Sequence, residues 1–164
     1  DNKLVKSLIE NAKAGMNSAF EQLFKIGRGR VYAVCFRILA NKDEAEKMAV
    51  KVFFISWQQI KFMRSSITFS AWLTGITVYT VLELLREKKT EIEDTHAAAE
   101  QFPALSPLEL AILSLPQDER TVVVLHDVEN YTFVETSDIL GLPPAQIREL
   151  LNKAHKKLIR EIGL

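Results

Sequence analysis

The 164-residue sequence predicts an all-α chain, two small helical domains joined by an acidic linker. Three observations carry this. Apolar residues recur at three- and four-residue spacing along most of the chain. Only six glycines and five prolines occur, so long stretches run free of helix breakers. The zero formal net charge is unevenly spread: residues 1–89 hold 15 Lys/Arg against 8 Asp/Glu, residues 90–105 hold four acids and no base, and residues 106–164 hold 6 bases against 9 acids. A basic half, an acidic linker and a differently charged second half suit domains that meet different surfaces. The 48% hydrophobic content is ample for a core in each.

In the first domain, residues 1–89, Leu4–Ala14 and Ser18–Ile26 read as amphipathic helices parted by Gly15-Met16-Asn17. Gly27-Arg28-Gly29-Arg30 is expected to break the second of these, with Val31–Leu39 resuming the pattern. No strand precedes the glycines and no GxxxxGK spacing follows, so a helix break is favoured over a phosphate loop. Asn41 caps the next helix, with Glu44 placed to complete a capping box. That helix carries Val52, Phe53, Ile55, Trp57 and Ile60; a polar loop over 61–68 follows, with Arg64, Ser65 and Ser66. Phe69–Arg86 closes the domain, with Phe69, Trp72, Leu73, Ile76, Thr80 and Leu84 at helical spacing. Both tryptophans are assigned to the core.

Residues 90–105 lack sustained apolar periodicity and form the linker, in which Ala97–Ala99 is compatible with a short helical turn. The second domain, residues 106–164, starts at Ser106 as a cap with Pro107 in the first turn. Glu119–Asp127 is an apolar helix ending in the turn Val128-Glu129-Asn130. Thr132 starts a short helix to Leu140, and Gly141 supplies the left-handed residue that ends it. Pro143 and Pro144 reopen a helix whose apolar stripe reaches Ile162. A short helix, a glycine turn and a second helix make the outline of a helix-turn-helix.

The faces of that last helix differ. Ile147, Leu151, Ala154, Leu158 and Ile162 form one apolar stripe, while Ala145, Glu149, Asn152 and Lys156 lie opposite, flanked by Arg148 and Lys153. An amide, an arginine and lysines on an outward face suit a DNA major groove. The charges alone are equally those of a solvated amphipathic helix; the glycine turn and the preceding short helix favour DNA.

Nothing in the chain forms an enzyme site. His96, His126 and His155 are scattered, with no metal-ligand spacing and no paired nucleophile, so no cofactor and no metal is expected. Cys35, within Val34-Cys35-Phe36, is expected to be a core thiol of a reducing compartment. No apolar run approaches a membrane span and no signal peptide is visible, which points to the cytoplasm.

The two halves together resemble the extracytoplasmic-function (ECF) type of sigma factor in the sigma-70 family. Asp43-Glu44-Ala45-Glu46, then Val52-Phe53 and Trp57, match the region-two helix that grips RNA polymerase. Phe69, Trp72-Leu73, Ile76 and Arg86 match the helix facing the promoter's minus-ten element. Leu115-Pro116, Arg120, Glu135 and Ile139-Leu140-Gly141 match region four, which reads the minus-thirty-five element. The resemblance spans nearly the whole chain in the right order.

It implies a polymerase-contact set of Asp43, Glu44, Glu46, Lys47, Val50, Lys51 and Phe54. It implies DNA contacts through the loop residues Phe62, Arg64, Ser65 and Ser66 and through Tyr79. On the last helix the implied contacts are Gln146, Arg148, Glu149, Asn152, Lys153, Lys156 and Lys157. The loop would receive a flipped base, and Tyr79 is either a stacking face or a half-buried structural residue. The acidic linker would thread toward the polymerase active-site cleft. Core RNA polymerase and promoter DNA are the implied partners, with an anti-sigma factor or another recruiting protein as a further one, and no membrane.

The departures fall on contact surfaces. Lys47, Val50 and Lys51 stand where the family carries an acid, a glutamine and a second acid; Thr77 and Tyr79 replace an alanine and an asparagine. Glu149, Leu150 and His155 replace a serine, a basic residue and an arginine. Two readings follow: a promoter-specificity subunit with altered contacts, or a sigma-like adaptor recruited through a non-standard partner.

Overall fold

A computed structural model describes residues 1–88 and 104–163. The expected linker lies outside these residues except for Ala104 and Leu105. Every regular element among the described residues is helical, and backbone contacts divide the chain into two compact units. The first is Asp1–Phe36 with Asn41–Thr90; the second is Arg37–Ala40 with Glu91–Leu164.

The first unit is built on four helices: α1 (Lys3–Lys13), α2 (Asn17–Leu39), α3 (Lys42–Gln59) and α4 (Phe69–Glu87). Asn2 starts α1 by accepting from the Val5 amide at 2.9 Å, and Leu8, Ile9 and Ala12 form its buried stripe. Gly15, at φ +93°, turns the chain into α2.

Helix α2 is continuous, which corrects the break expected at Gly27–Arg30. The two distinctive residues there face α4. A Cβ on Gly27 would fall 2.5 Å from Leu73 Cδ2 and force that buried side chain to shift, so glycine here admits a close approach of α4. Arg30 Nε donates to Thr74 Oγ1 at 2.8 Å, tying the same two helices. A glycine within a helix costs about 1 kcal/mol relative to alanine, which tertiary packing here overrides.

Asn41 Oδ1 accepts from the Glu44 amide at 3.0 Å and starts α3 as expected. The Glu44 carboxylate lies 3.2 Å from Lys88 Nζ, at the far end of α4. A 3₁₀ turn, Ile60–Phe62, follows α3, and Thr68 Oγ1 caps α4 by accepting from the Ala71 amide at 3.1 Å. The core consists of Leu23, Val31, Val34, Cys35, Val52, Leu73 and Val81 with their neighbours. The buried hydroxyls of Thr77 and Thr80 each donate to the carbonyl four residues earlier, at 2.7 Å, so α4 carries threonines inside at little cost.

The second unit contains α5 (Pro107–Leu113), α6 (Gln117–Val123) continued by a π turn (Val124–Val128), α7 (Phe133–Leu140) and α8 (Pro144–Glu161). Ser106 and Glu109 form a capping box on α5, with Pro107 in its first turn. Val122 to Leu125 are all fully buried, so α6 is the central element. Arg120 is also buried: Nη1 donates to the carbonyls of Leu113 and Leu115 at 3.2 and 2.7 Å, and Nη2 to Gln117 Oε1 at 2.6 Å. Burial pulls its pKa down to about 10, which leaves it charged at neutral pH.

Among the described residues, no helix is long and apolar enough to cross a membrane.

Candidate nucleic-acid interface

The helix-turn-helix is formed by α7, its turn and α8. Thr132 and Glu135 make a capping box at the start of α7, and Gly141 ends it at φ +66°. Ser137 holds the turn from both sides, its carbonyl accepting from the Leu142 amide and its hydroxyl donating to the Leu142 carbonyl. Pro144 then opens α8. Ile147, Leu151, Ala154 and Leu158 are buried against the unit, as the stripe predicts.

Gln146, Arg148, Glu149, Asn152, Lys153, Lys156 and Lys157 are all exposed, but they are not equally available. Lys153 pairs with Glu149 at 2.9 Å, one helical turn away. Lys157 Nζ lies 2.9 Å from both carboxylate oxygens of Glu119, a residue of α6 that is only 6% exposed. Its charge is thus spent inside the unit, a role that the outward charge pattern concealed. Arg148 lies over the Phe133 ring, 5.8 Å from its centre.

The histidines also depart from the expected scatter. His126 Nδ1 is 2.7 Å from Asp127 Oδ1, and His155 Nε2 is 2.6 Å from Asp127 Oδ2, so two of them meet on one carboxylate. His96 is outside the described residues. Among the described residues, no group of three or more His, Cys, Asp or Glu side chains is arranged to hold a metal ion.

In the first unit Phe62, Arg64, Ser65 and Ser66 are exposed along one loop, with Lys61 Nζ 5.2 Å from the Phe62 ring centre. Tyr79 is 59% exposed, which removes its half-buried structural reading. Its hydroxyl donates to Glu83 at 2.8 Å, and that bond raises its pKa. Tyr79 and the half-buried Trp72 line an open apolar groove together with Ile55, Ile67, Ala71, Gly75 and Ile76. The sequence reading missed this groove because Trp72 sits on the apolar stripe of α4, where a core role is the default.

On α3, Asp43, Glu46, Lys47, Val50, Lys51 and Phe54 are exposed, and Glu44 is half-buried beside Lys88. Trp57 is 50% exposed, contradicting its core assignment. Val50, Phe54 and Trp57 follow at i, i+4 and i+7, so the tryptophan extends an outward apolar ridge. Among the described residues, no carboxylate pairs with Lys47 or Lys51.

Two helical units, one carrying an exposed aromatic groove and the other a helix-turn-helix, define a class of protein that handles DNA. Residues 23–91 match the family model "Sigma-70 region 2", and residues 105–158 match "Sigma-70, region 4". The chain belongs to the sigma-70 family, and within it to the ECF group. It is 26% identical to the ECF RNA polymerase sigma factor SigW of Bacillus subtilis, over 97% of each chain. It is 26% identical to the RNA polymerase sigma factor CarQ of Myxococcus xanthus, over 94% of this chain and 95% of that one. The fold matches the sigma factor RpoE solved in complex with the anti-sigma factor NepR from Bartonella quintana, at a TM-score of 0.64 and 17% identity, covering 88% of this chain and 97% of that one. It also matches CnrH, solved with the cytosolic domain of CnrY, at a TM-score of 0.61 and 22% identity over 98% of each chain.

Proposed function

We propose that this chain is a sigma subunit of RNA polymerase that directs promoter recognition and transcription initiation in the cytoplasm. The observation that carries this is the pairing, in one chain, of region-two and region-four folds, each with its contact face exposed. In this reading α8 enters the major groove at the minus-thirty-five element. Arg148 and Asn152 meet base edges, and Lys156 meets phosphate. The Phe62–Ser66 loop and the Trp72–Tyr79 groove receive unpaired bases of the minus-ten element, where stacking substitutes for lost pairing. The outer face of α3, from Asp43 to Phe54, docks on core polymerase. Residues 1–89 and 106–164 are the two working domains. An anti-sigma protein is a further partner, since the sigma factor RpoE was solved with the anti-sigma factor NepR and CnrH with the cytosolic domain of CnrY. The chain contributes binding and orientation and performs no covalent chemistry of its own.

Exposed Lys47 and Lys51, unpaired among the described residues, favour a second reading, recruitment through a partner other than standard core enzyme, because lysines repel a surface built to receive the family's acids. Co-purification of the chain with core RNA polymerase, followed by promoter-dependent transcription, separates the two. A complex that initiates supports the sigma reading. Failure to bind core enzyme, with DNA binding retained, supports the adaptor.

A further inference from the structure

We propose that Phe133 is a positioning residue that sets Arg148 for base reading, an inference that rests on α8 being the recognition helix. The Arg148 guanidinium carbon lies 5.8 Å from the Phe133 ring centre, within reach of cation–π attraction. The ring is constrained on another side by the His126 imidazole, with centroids 4.6 Å apart and planes at 47°. His126 is itself tied to Asp127 at 2.7 Å, and Asp127 to His155 at 2.6 Å.

Arg148 and His155 both belong to α8, about two turns apart. The contacts therefore run from α8 to the π turn after α6, across the first residue of α7, and back to α8. Phe133 is 37% exposed, and its backbone is fixed by the Thr132–Glu135 capping box.

This circuit places the Arg148 guanidinium carbon over the Phe133 ring. Among the described residues no carboxylate pairs with Arg148, whereas Lys153 is taken by Glu149 and Lys157 by Glu119. An arginine restrained by cation–π attraction samples fewer orientations of its fork of donors, which favours bidentate recognition of guanine O6 and N7. A freely rotating side chain would lose that rotamer entropy on binding; here part of it is lost in advance.

The test compares base preferences of the full-length chain and its variants on a pool of duplexes randomised over the upstream element. Arg148→Ala flattens the preference at one base position. Phe133→Leu reduces discrimination at that same position by about two- to five-fold, the range of an exposed cation–π contact. It leaves affinity for random duplex and the salt dependence unchanged, and Phe133→Tyr restores the preference. His126→Gln blurs the same position by a smaller factor and gives a readout even if Phe133→Leu fails to fold. The proposal is overturned if Arg148→Ala flattens the position while Phe133→Leu and His126→Gln leave it sharp. A uniform loss of affinity in folded Phe133→Leu overturns it as well. If Arg148→Ala itself changes nothing, the recognition-helix reading has failed, and this inference with it.

Discussion

Lys157 Nζ lies 2.9 Å from each carboxylate oxygen of Glu119, joining α8 to a buried residue of α6. Removing the lysine leaves a carboxylate in the interior without its cation. Lys157→Ala is therefore predicted to destabilise the second unit by about 1–3 kcal/mol. Lys156, one residue earlier and exposed, has no such partner among the described residues. Lys156→Ala is predicted to leave stability unchanged while making the log–log salt dependence of DNA binding shallower by roughly one unit. Urea unfolding and a salt titration of both variants measure the contrast. Equal behaviour of the two lysines would refute it.

Two glycines of the first unit have opposite surroundings. A Cβ at Gly27 meets the buried Leu73 at 2.5 Å, while one at Gly75 meets nothing within 4 Å. Gly27→Ala is predicted to cost about 1–3 kcal/mol by overpacking. Gly75→Ala is predicted to stabilise by about 0.5–1 kcal/mol through helix propensity. Gly75→Leu should fold too, yet fill the groove between Trp72 and Tyr79 and weaken binding of single-stranded minus-ten DNA. Melting curves and fluorescence titrations with that strand test both halves. Undiminished strand binding by Gly75→Leu would exclude the groove as a base site.

Thr136 is fully buried in the helix-turn-helix, and its hydroxyl oxygen has no hydrogen-bond partner among the described residues. Valine has nearly the same shape without the polar atom. Thr136→Val is predicted to stabilise by about 1–2 kcal/mol, the usual cost of an unsatisfied buried hydroxyl. A lower melting temperature for the variant would contradict this.

Cys35 is buried in α2, and burial pushes its thiol pKa up to about 12 from 9.0. The folded state thus holds this proton more tightly than the unfolded state. The contribution to stability is complete below about pH 9 and is lost progressively as pH rises toward 12. Native protein at pH 8 is predicted to resist thiol reagents, with reaction appearing only on unfolding. Prompt modification of the folded protein would show the thiol to be accessible.

Most of the fold was legible because caps and turns are local chemistry. Asn41, Ser106, Thr132 and Gly141 each act where their side chain or φ requirement placed them. The break expected at Gly27 failed because a helical glycine is ambiguous: it ends a helix or admits a neighbour, and only the position of Leu73 decides. Trp57 was misassigned for a related reason, since periodicity does not say whether an apolar face is covered by the chain itself. The contact surfaces were legible as sets of exposed residues but not as pairs. Glu119 and Lys157 are 38 residues apart, and Asp127 and His155 are 28 apart, beyond anything helical spacing encodes.

The most direct test of the account is transcription by core RNA polymerase loaded with this chain, on promoters randomised at both elements, with sequencing of the templates that initiate. Two separate blocks of base preference are predicted, at the minus-thirty-five and minus-ten elements. Arg148→Ala should alter only the upstream block, and Gly75→Leu only the downstream one. Initiation with a single block, or none above core enzyme alone, would contradict the assignment of promoter recognition to these two units.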